Sequence, residues 1–380
     1  MKDLSLYIHI PFCRSKCMYC GFYSVPVSQM DGEEFALLQK RYISAVLKEL
    51  DQYNLKNGSV RTVYIGGGSP SILGIDTVSV LLDGIAGRLG EVSEFTFEAN
   101  PGQIDAEYCS VLLNHGVNRL SIGVQSFNDK ELRYLGRPYP PQTALEALAA
   151  ARESGFSNVS IDLIFAIPQT CKEDWQAGIE KAIAAGVEHI SAYSLSYDRG
   201  SRLYDRLKKG EITVIDEETD RWMYEFAIDR LQEAGYRQYE ISNFAKTGFE
   251  CEHNIVYWKN TGYIGIGAGA ASFYNGARYH NPDNIERYLK RIESGGSGAS
   301  TFRAVSGSDF ASETAVLNLR LRRGVVLEEY KSLTGMDFRD LYSGRIDMHM
   351  KNGNIEQTHA GYRLTREALA VADNILCDFC

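Results

Sequence analysis

Strand-like stretches alternating with helix-like ones, six times at intervals of about thirty residues, occupy the first two-thirds of this 380-residue chain. LSLYIHI (4–10) reads as a strand and residues 33–53 as a long amphipathic helix. RTVYIG (61–66) precedes a helix around 76–89, and EFTFEA (94–99) one around 105–114. RLSIGV (119–124) leads into helices near 129–134 and 141–154, and NVSIDLIF (158–165) into 172–185. HISAYSLS (189–196) precedes 200–208 and 217–234. With no hairpin signal between them, six βα units demand a parallel sheet with its helices outside. They form either a doubly wound sheet or a partial (β/α)6 TIM-type barrel.

The rhythm breaks near 236. Residues 237–282 are rich in Tyr, Gly and Asn and read as short strands and loops closing one edge of the sheet. ESGGSGAS (293–300) is the one linker-like segment. Helices near 309–322, 327–333 and 337–342, a hairpin at 352–365 and a terminal helix at 365–376 outline a winged-helix-like module. The expected division is a core at 1–235, an edge extension at 236–298 and a C-terminal domain at 299–380. Residues 301–380 carry ten Lys/Arg against eleven Asp/Glu, and the whole chain has a net charge of −9. A nucleic-acid partner would want a basic excess, so none is expected. No run approaches the roughly 18 apolar residues of a membrane span, and MKDLSLYIHIPFC lacks signal-peptide features. The expectation is a cytoplasmic protein.

In a reducing compartment, clustered cysteines point to metal or redox chemistry rather than disulfides. Cys13, Cys17 and Cys20 form C-x3-C-x2-C directly after the first strand. Thiolates hold iron–sulfur clusters, and a compact triad can bind three irons of four, leaving the last for an outside ligand. Zinc is the alternative, although no second pair follows at a suitable distance. Cys377 and Cys380 form a late C-x2-C with no evident role.

The triad, with Tyr19 before its last cysteine, resembles the radical S-adenosylmethionine superfamily. That resemblance implies a [4Fe-4S] cluster whose open iron chelates S-adenosylmethionine, inside a parallel barrel of six βα units. The site of such a barrel lies beyond the C-terminal ends of its strands. Positions expected there are Gly67, Gly68 and Ser69 after the second strand, Glu98 and Gln125 ending the third and fourth, Arg137 beyond, Asp162 within the fifth, and Ser196 ending the sixth. On the resemblance, Arg137 pairs with the methionine carboxylate, while Glu98 and Asp162 accept hydrogen bonds from amine or ribose. Structural salt bridges are the alternative for each taken singly. Tyr7, Tyr19 and Gly21 flank the cluster and are expected to line the same pocket.

The series YIHIPFC…CMYC, GGGSP, FEANP, SIGVQSF, LGR and IDLIFAIP is similar, along nearly the whole chain, to the oxygen-independent coproporphyrinogen oxidase family, which includes a heme-chaperone branch. The oxidases carry a long N-terminal arm and Gly-Cys after the triad; here the first strand starts near residue 4 and the triad is followed by Gly21-Phe22. CEHNIVYW matches the chaperones' H-N-x-x-Y-W, which implies His253 as a heme ligand. A partly buried, hydrogen-bonded histidine is the alternative. Ala271 stands where the family commonly shows histidine, and Gly21 where the chaperones show Asp. The resemblance implies a heme chaperone with heme and a recipient hemoprotein as partners, an electron donor such as flavodoxin or ferredoxin, and peripheral membrane contact through the recipient. Coproporphyrinogen III dehydrogenase is the rival, and whether S-adenosylmethionine is cleaved stays open.

Overall fold

A computed structural model describes residues 4–53, 55 and 59–380. Six strands run parallel in sequence order: β1 (Leu4–Ile10), β2 (Val60–Gly67), β3 (Glu94–Ala99), β4 (Arg119–Gln125), β5 (Val159–Phe165) and β6 (His189–Ser194). Most residues of these strands are buried, as for parallel strands covered on both faces. Apolar and polar residues alternate along them, as in LSLYIHI and RLSIGVQ, and both sets are buried: Leu6, Ile8, Leu120 and Ile122 no less than Ser5, His9, Arg119 and Ser121. The helices between them are α1 (Gly32–Asp51), α2 (Ile75–Leu89), α3 (Ala106–Asn114), α4 (Asp129–Leu135), α5 (Pro141–Glu153), α6 (Lys172–Ala184), α7 (Arg202–Lys208) and α8 (Glu217–Glu233). Local chemistry sets their starts: Asp31, Asp105, Asn128, Ser201 and Asp216 each accept a backbone N–H of the first turn. The chain is thus an α/β protein with a partial TIM-type barrel.

The stretch 237–282 extends both edges of the sheet, not one. β7 (Arg237–Gln238) and β8 (Asn243–Ala245) add antiparallel beside β6. β9 (Tyr263–Ile266) pairs parallel with β1, and β10 (Ala271–Tyr274), β11 (Ala277–His280) and β12 (Thr301–Ala304) continue outward antiparallel. The order is β12-β11-β10-β9-β1-β2-β3-β4-β5-β6-β8-β7. CEHNIVYW is not a loop or strand but a helix, α9 (Glu252–Trp258).

The glycine-rich segment after α10 (Ile285–Glu293) is no loose linker. Gln52 donates to the Gly296 carbonyl, Arg291 to those of Ser297 and Ala299. A Cβ on Gly298 would lie 1.7 Å from the Glu49 carboxylate. Glycine therefore serves close approach here. The segment returns the chain to the main sheet through β12, so the helical module starts only with α11 (Gly307–Arg320), beyond the boundary expected at 298/299. α12 (Leu327–Thr334) and α13 (Phe338–Lys351) follow; a three-stranded sheet of β13 (Val325–Val326), β14 (Ile355–Gln357) and β15 (Gly361–Leu364), and the short α14 (Ala372–Leu376), complete a winged-helix-like outline. Among the described residues no helix is long and apolar enough to cross a membrane.

Candidate functional site

At the C-terminal strand ends lies a cavity of about 560 Å³, within the range of small-molecule sites. Cys13, Cys17, Cys20, Tyr19, Gly21, Gly67, Gly68, Ser69, Glu98, Gln125, Arg137, Asp162 and Ser196 all line it. All but two of the expected positions therefore converge, although they come from loops and strands up to 183 residues apart in sequence (Cys13 to Ser196).

Two loops form its rim. The cysteine loop leaves β1 and is held by backbone bonds from Val25 to the Pro11 carbonyl and from Val27 to that of Cys13. The glycine loop docks on it, with Gly68 N–H donating to Ile10 O (2.8 Å) and Ser69 N–H to Phe12 O (2.8 Å). At Gly67 a φ of +111° and a would-be Cβ only 2.4 Å from the His9 ring exclude any side chain. Gln125 also turns back with φ 67°, pulling β4 out of register and facing the cavity.

The three cysteines are free thiols on one wall. Among the described residues no three His, Cys, Asp or Glu side chains converge on a single ion. That geometry does not suit tetrahedral zinc, whereas a four-iron cluster spreads its thiolates over separate irons. Burial pushes the Cys13 thiol up to about 12, with Cys17 and Cys20 adding repulsion, and Cys20 is raised for the same first reason. Ionised together, the three need a positive partner. Arg137 stands there: Nη1 donates to Cys17 Sγ at 3.3 Å, Nη2 to the Gly123 carbonyl at 2.7 Å and to Asn100, and Nε to Tyr139 at 2.8 Å. Four of the five guanidinium N–H groups are thus engaged, one of them with the cysteine loop, and one on Nη1 is left for a carboxylate.

Glu98 accepts from Tyr64 (2.7 Å) and from Gly67 N–H (3.0 Å). Burial raises its carboxyl to about 7 in spite of the Tyr64 bond, so it holds a proton near neutrality and can exchange it with a bound amine. Burial likewise raises Asp162, which the Ser191 hydroxyl and the charge of Arg119 partly offset. This supplies the partner that a carboxylate inside an apolar strand requires. Ser196 lies past the end of β6 and donates to Asp198 (2.9 Å). Sequence reasoning passed over Asn100, Gln103, Tyr139, Tyr193 and Asp198, all of which line the cavity. Asn100 follows Ala99 in the FEANP motif, so adjacency to Glu98 was the available signal.

Two expectations fail. Tyr7 does not line this cavity but an adjoining one of about 570 Å³. Its ring lies 6.2 Å from that of Tyr64, and its hydroxyl meets His9 Nδ1 at 3.0 Å. His253 faces neither cavity: it is 0% exposed at the opposite end of the sheet. Thr62 donates to Ser5 (2.7 Å), so His253 Nδ1–H donates to Thr62 (2.8 Å), leaving Nε2 to accept from Tyr257 (2.9 Å). Glu94, at the start of β3, accepts from the backbone N–H groups of Glu252 and His253, an acidic cap on a helix N-terminus. Burial, with the charge of Arg119, lowers the imidazole to about 3. Trp258 then anchors the C-terminal module through Asn318, which donates to its carbonyl (2.8 Å), and Arg320, 4.9 Å over its ring. The motif thus closes the sheet and joins the domains, and as built it presents no free imidazole nitrogen.

Comparison with known proteins agrees with this architecture. A family model described as the Radical SAM superfamily matches residues 7–182, and one described as the HemN C-terminal domain matches 305–371. The chain is 33% identical to the heme chaperone HemW of Lactococcus lactis, covering 100% of this chain and 97% of that protein. It is 32% identical to that of Bacillus subtilis, with 99% and 98% covered. Among solved structures, coproporphyrinogen III oxidase (HemN) of Escherichia coli aligns over 100% of this chain and 90% of its own, with a TM-score of 0.84 at 21% identity. At that identity the likeness speaks for the fold alone.

Proposed function

Because this chain belongs to the heme chaperone HemW family of the radical SAM superfamily, we propose that it binds heme and hands it to a recipient hemoprotein, with a [4Fe-4S] cluster on Cys13, Cys17 and Cys20 and S-adenosylmethionine beside it. The observation that carries the site assignment is the convergence of three free cysteines, the Gly67–Ser69 loop, Glu98, Arg137 and Asp162 on one cavity. When bound, the cluster supplies an electron to the sulfonium of S-adenosylmethionine.

The chain's own residues bind and orient. Gly67 and Gly68 bring backbone polar groups close to the ligand's amine, and Glu98 takes or gives its proton there. Arg137 balances thiolate charge and offers the remaining N–H of its Nη1 to a carboxylate. Asp162 and the exposed Ser196, past the end of β6, offer acceptors to ribose hydroxyls. The recipient, an electron donor such as flavodoxin or ferredoxin, a cytoplasmic location and peripheral membrane contact through the recipient complete the reading.

One anaerobic reaction tests it. Cluster-loaded protein is given coproporphyrinogen III, S-adenosylmethionine and a reductant, and the same preparation is given heme and an apo-hemoprotein. The expected result is heme transfer without protoporphyrinogen. Protoporphyrinogen formed over many turnovers would make the protein a coproporphyrinogen III dehydrogenase and overturn the chaperone reading.

A further inference from the structure

Heme must be held through its iron and its flat face, and the histidine inventory says where. His253 is sealed with both nitrogens bonded. His9 is bonded to Tyr7 and to the Tyr23 carbonyl, and His189 to Ser160 and Tyr239. His349 is held by Asp378 and Asn354, and His115 by the Val111 carbonyl. His359 lies in the turn between β14 and β15, on neither cavity. His280 differs from all of these. It ends β11, its side chain is 40% exposed, and it lines the 570 Å³ cavity. The Asp283 carboxylate lies 3.7 Å from its Nε2. At that distance the carboxylate is near enough to favour a charged or metal-bound imidazole electrostatically while leaving both ring nitrogens without a hydrogen bond among the described residues.

The cavity around His280 suits a porphyrin. Tyr7, Tyr23, Tyr257 and Tyr263 supply aromatic walls, with the last two packed edge-to-face at 4.7 Å. Directly across the ladder from His280 stands Ala271, exposed and lacking any side chain beyond its Cβ, so the space before the imidazole is open. Phe22 is 72% exposed at the rim, a large apolar group for which the protein itself provides no cover. Lys16 contributes a cation for a propionate. Lys16, Gly21, Phe22 and Ser24 also line the cluster cavity. A ligand in one cavity therefore touches the same loop that carries the cysteines.

We propose that heme docks in this second cavity with His280 as its iron ligand, Phe22 and the tyrosines against the macrocycle, and Lys16 toward a propionate. The proposal rests on the chaperone reading and moves the ligand from His253, at the sealed end of the sheet, to a histidine beside the cluster loop.

The test is titration of hemin into the full chain, read by visible absorption and electron paramagnetic resonance. His280→Ala should weaken heme binding by about tenfold or more and abolish the imidazole-ligated signature, and added free imidazole should restore that signature. His253→Ala, if still folded by circular dichroism, should keep the wild-type heme spectrum at reduced thermal stability. Unchanged spectrum and affinity in His280→Ala would overturn the proposal while leaving the chaperone reading standing. Loss of the signature in folded His253→Ala alone would return the ligand to that residue. No saturable heme binding by the wild-type chain would overturn the proposal and the chaperone reading together.

Discussion

The two ends of the parallel sheet use the same residue types to opposite effect. At the N-terminal ends, Ser5, Thr62, Glu94, Arg119, His189 and His253 are all buried. Most are bonded to one another, to α9 or to Tyr239. At the C-terminal ends, Glu98, Arg137, Asp162 and the cysteines face a cavity with bonding capacity left over. A polar group saturated by protein partners contributes rigidity and cannot also bind a ligand without losing them. A histidine or carboxylate is therefore structural or functional according to its remaining lone pairs, not its type.

The largest expected effect breaks the open end. Cys17→Ser, with cluster reconstitution, should lower bound iron from about four per chain to near zero while thermal stability stays within a few degrees of the wild type, as iron analysis and a melting curve will show. Next comes the sealed end. His253→Ala strands the buried Thr62 and removes the inner partner of Tyr257, whose ring lines the second cavity; it should cost about 2–4 kcal/mol in denaturant unfolding, with iron content of the folded protein retained. A normal stability together with lost heme would dissolve the contrast between the ends.

Glu98→Gln sharpens the comparison through pH. With its carboxyl at about 7, well above the ordinary value of a free glutamate, the folded chain binds a proton that the unfolded chain has released. This contribution is complete at pH 4 and is lost as pH rises through 7. One edge of Glu98 faces the cavity, so water moderates the full penalty to about 1–2 kcal/mol. Urea unfolding from pH 5 to 8 should show the wild type losing that stability and Glu98→Gln losing correspondingly less. The smallest effect is expected of Cys377→Ser with Cys380→Ser. Both thiols are exposed, beyond the last helix, and their loss should leave iron content unchanged and stability within about 0.5 kcal/mol.

Much of the open end was legible in the sequence because it is built from strand ends and the loops that follow them. The cysteine loop, Gly67–Ser69, Glu98, Gln125 and Asp162 each sit at a fixed offset within a βα unit, so recognising the units located the residues. The sealed end was not legible. His253 binds Thr62 across 191 residues of chain and Glu94 across 159, and α9 interrupts a stretch whose composition reads as strand and loop. Tyr7 shares its strand face with His9 and Tyr64, and only the residues that β9, β10 and β11 bring beside it reveal a second cavity.

By itself, then, the sequence determined six βα units, their parallel sheet and the side of it that carries the cysteines, because apolar periodicity and helix capping act over a few residues. Tertiary structure alone decided that 237–282 flanks both edges, that Arg137 is shared with Cys17 before any ligand arrives, and that His253 is spent on the fold while His280 is left open. The physical reason is that the number of free bonding positions on a polar side chain depends on partners brought together from distant parts of the chain, and no local pattern encodes it.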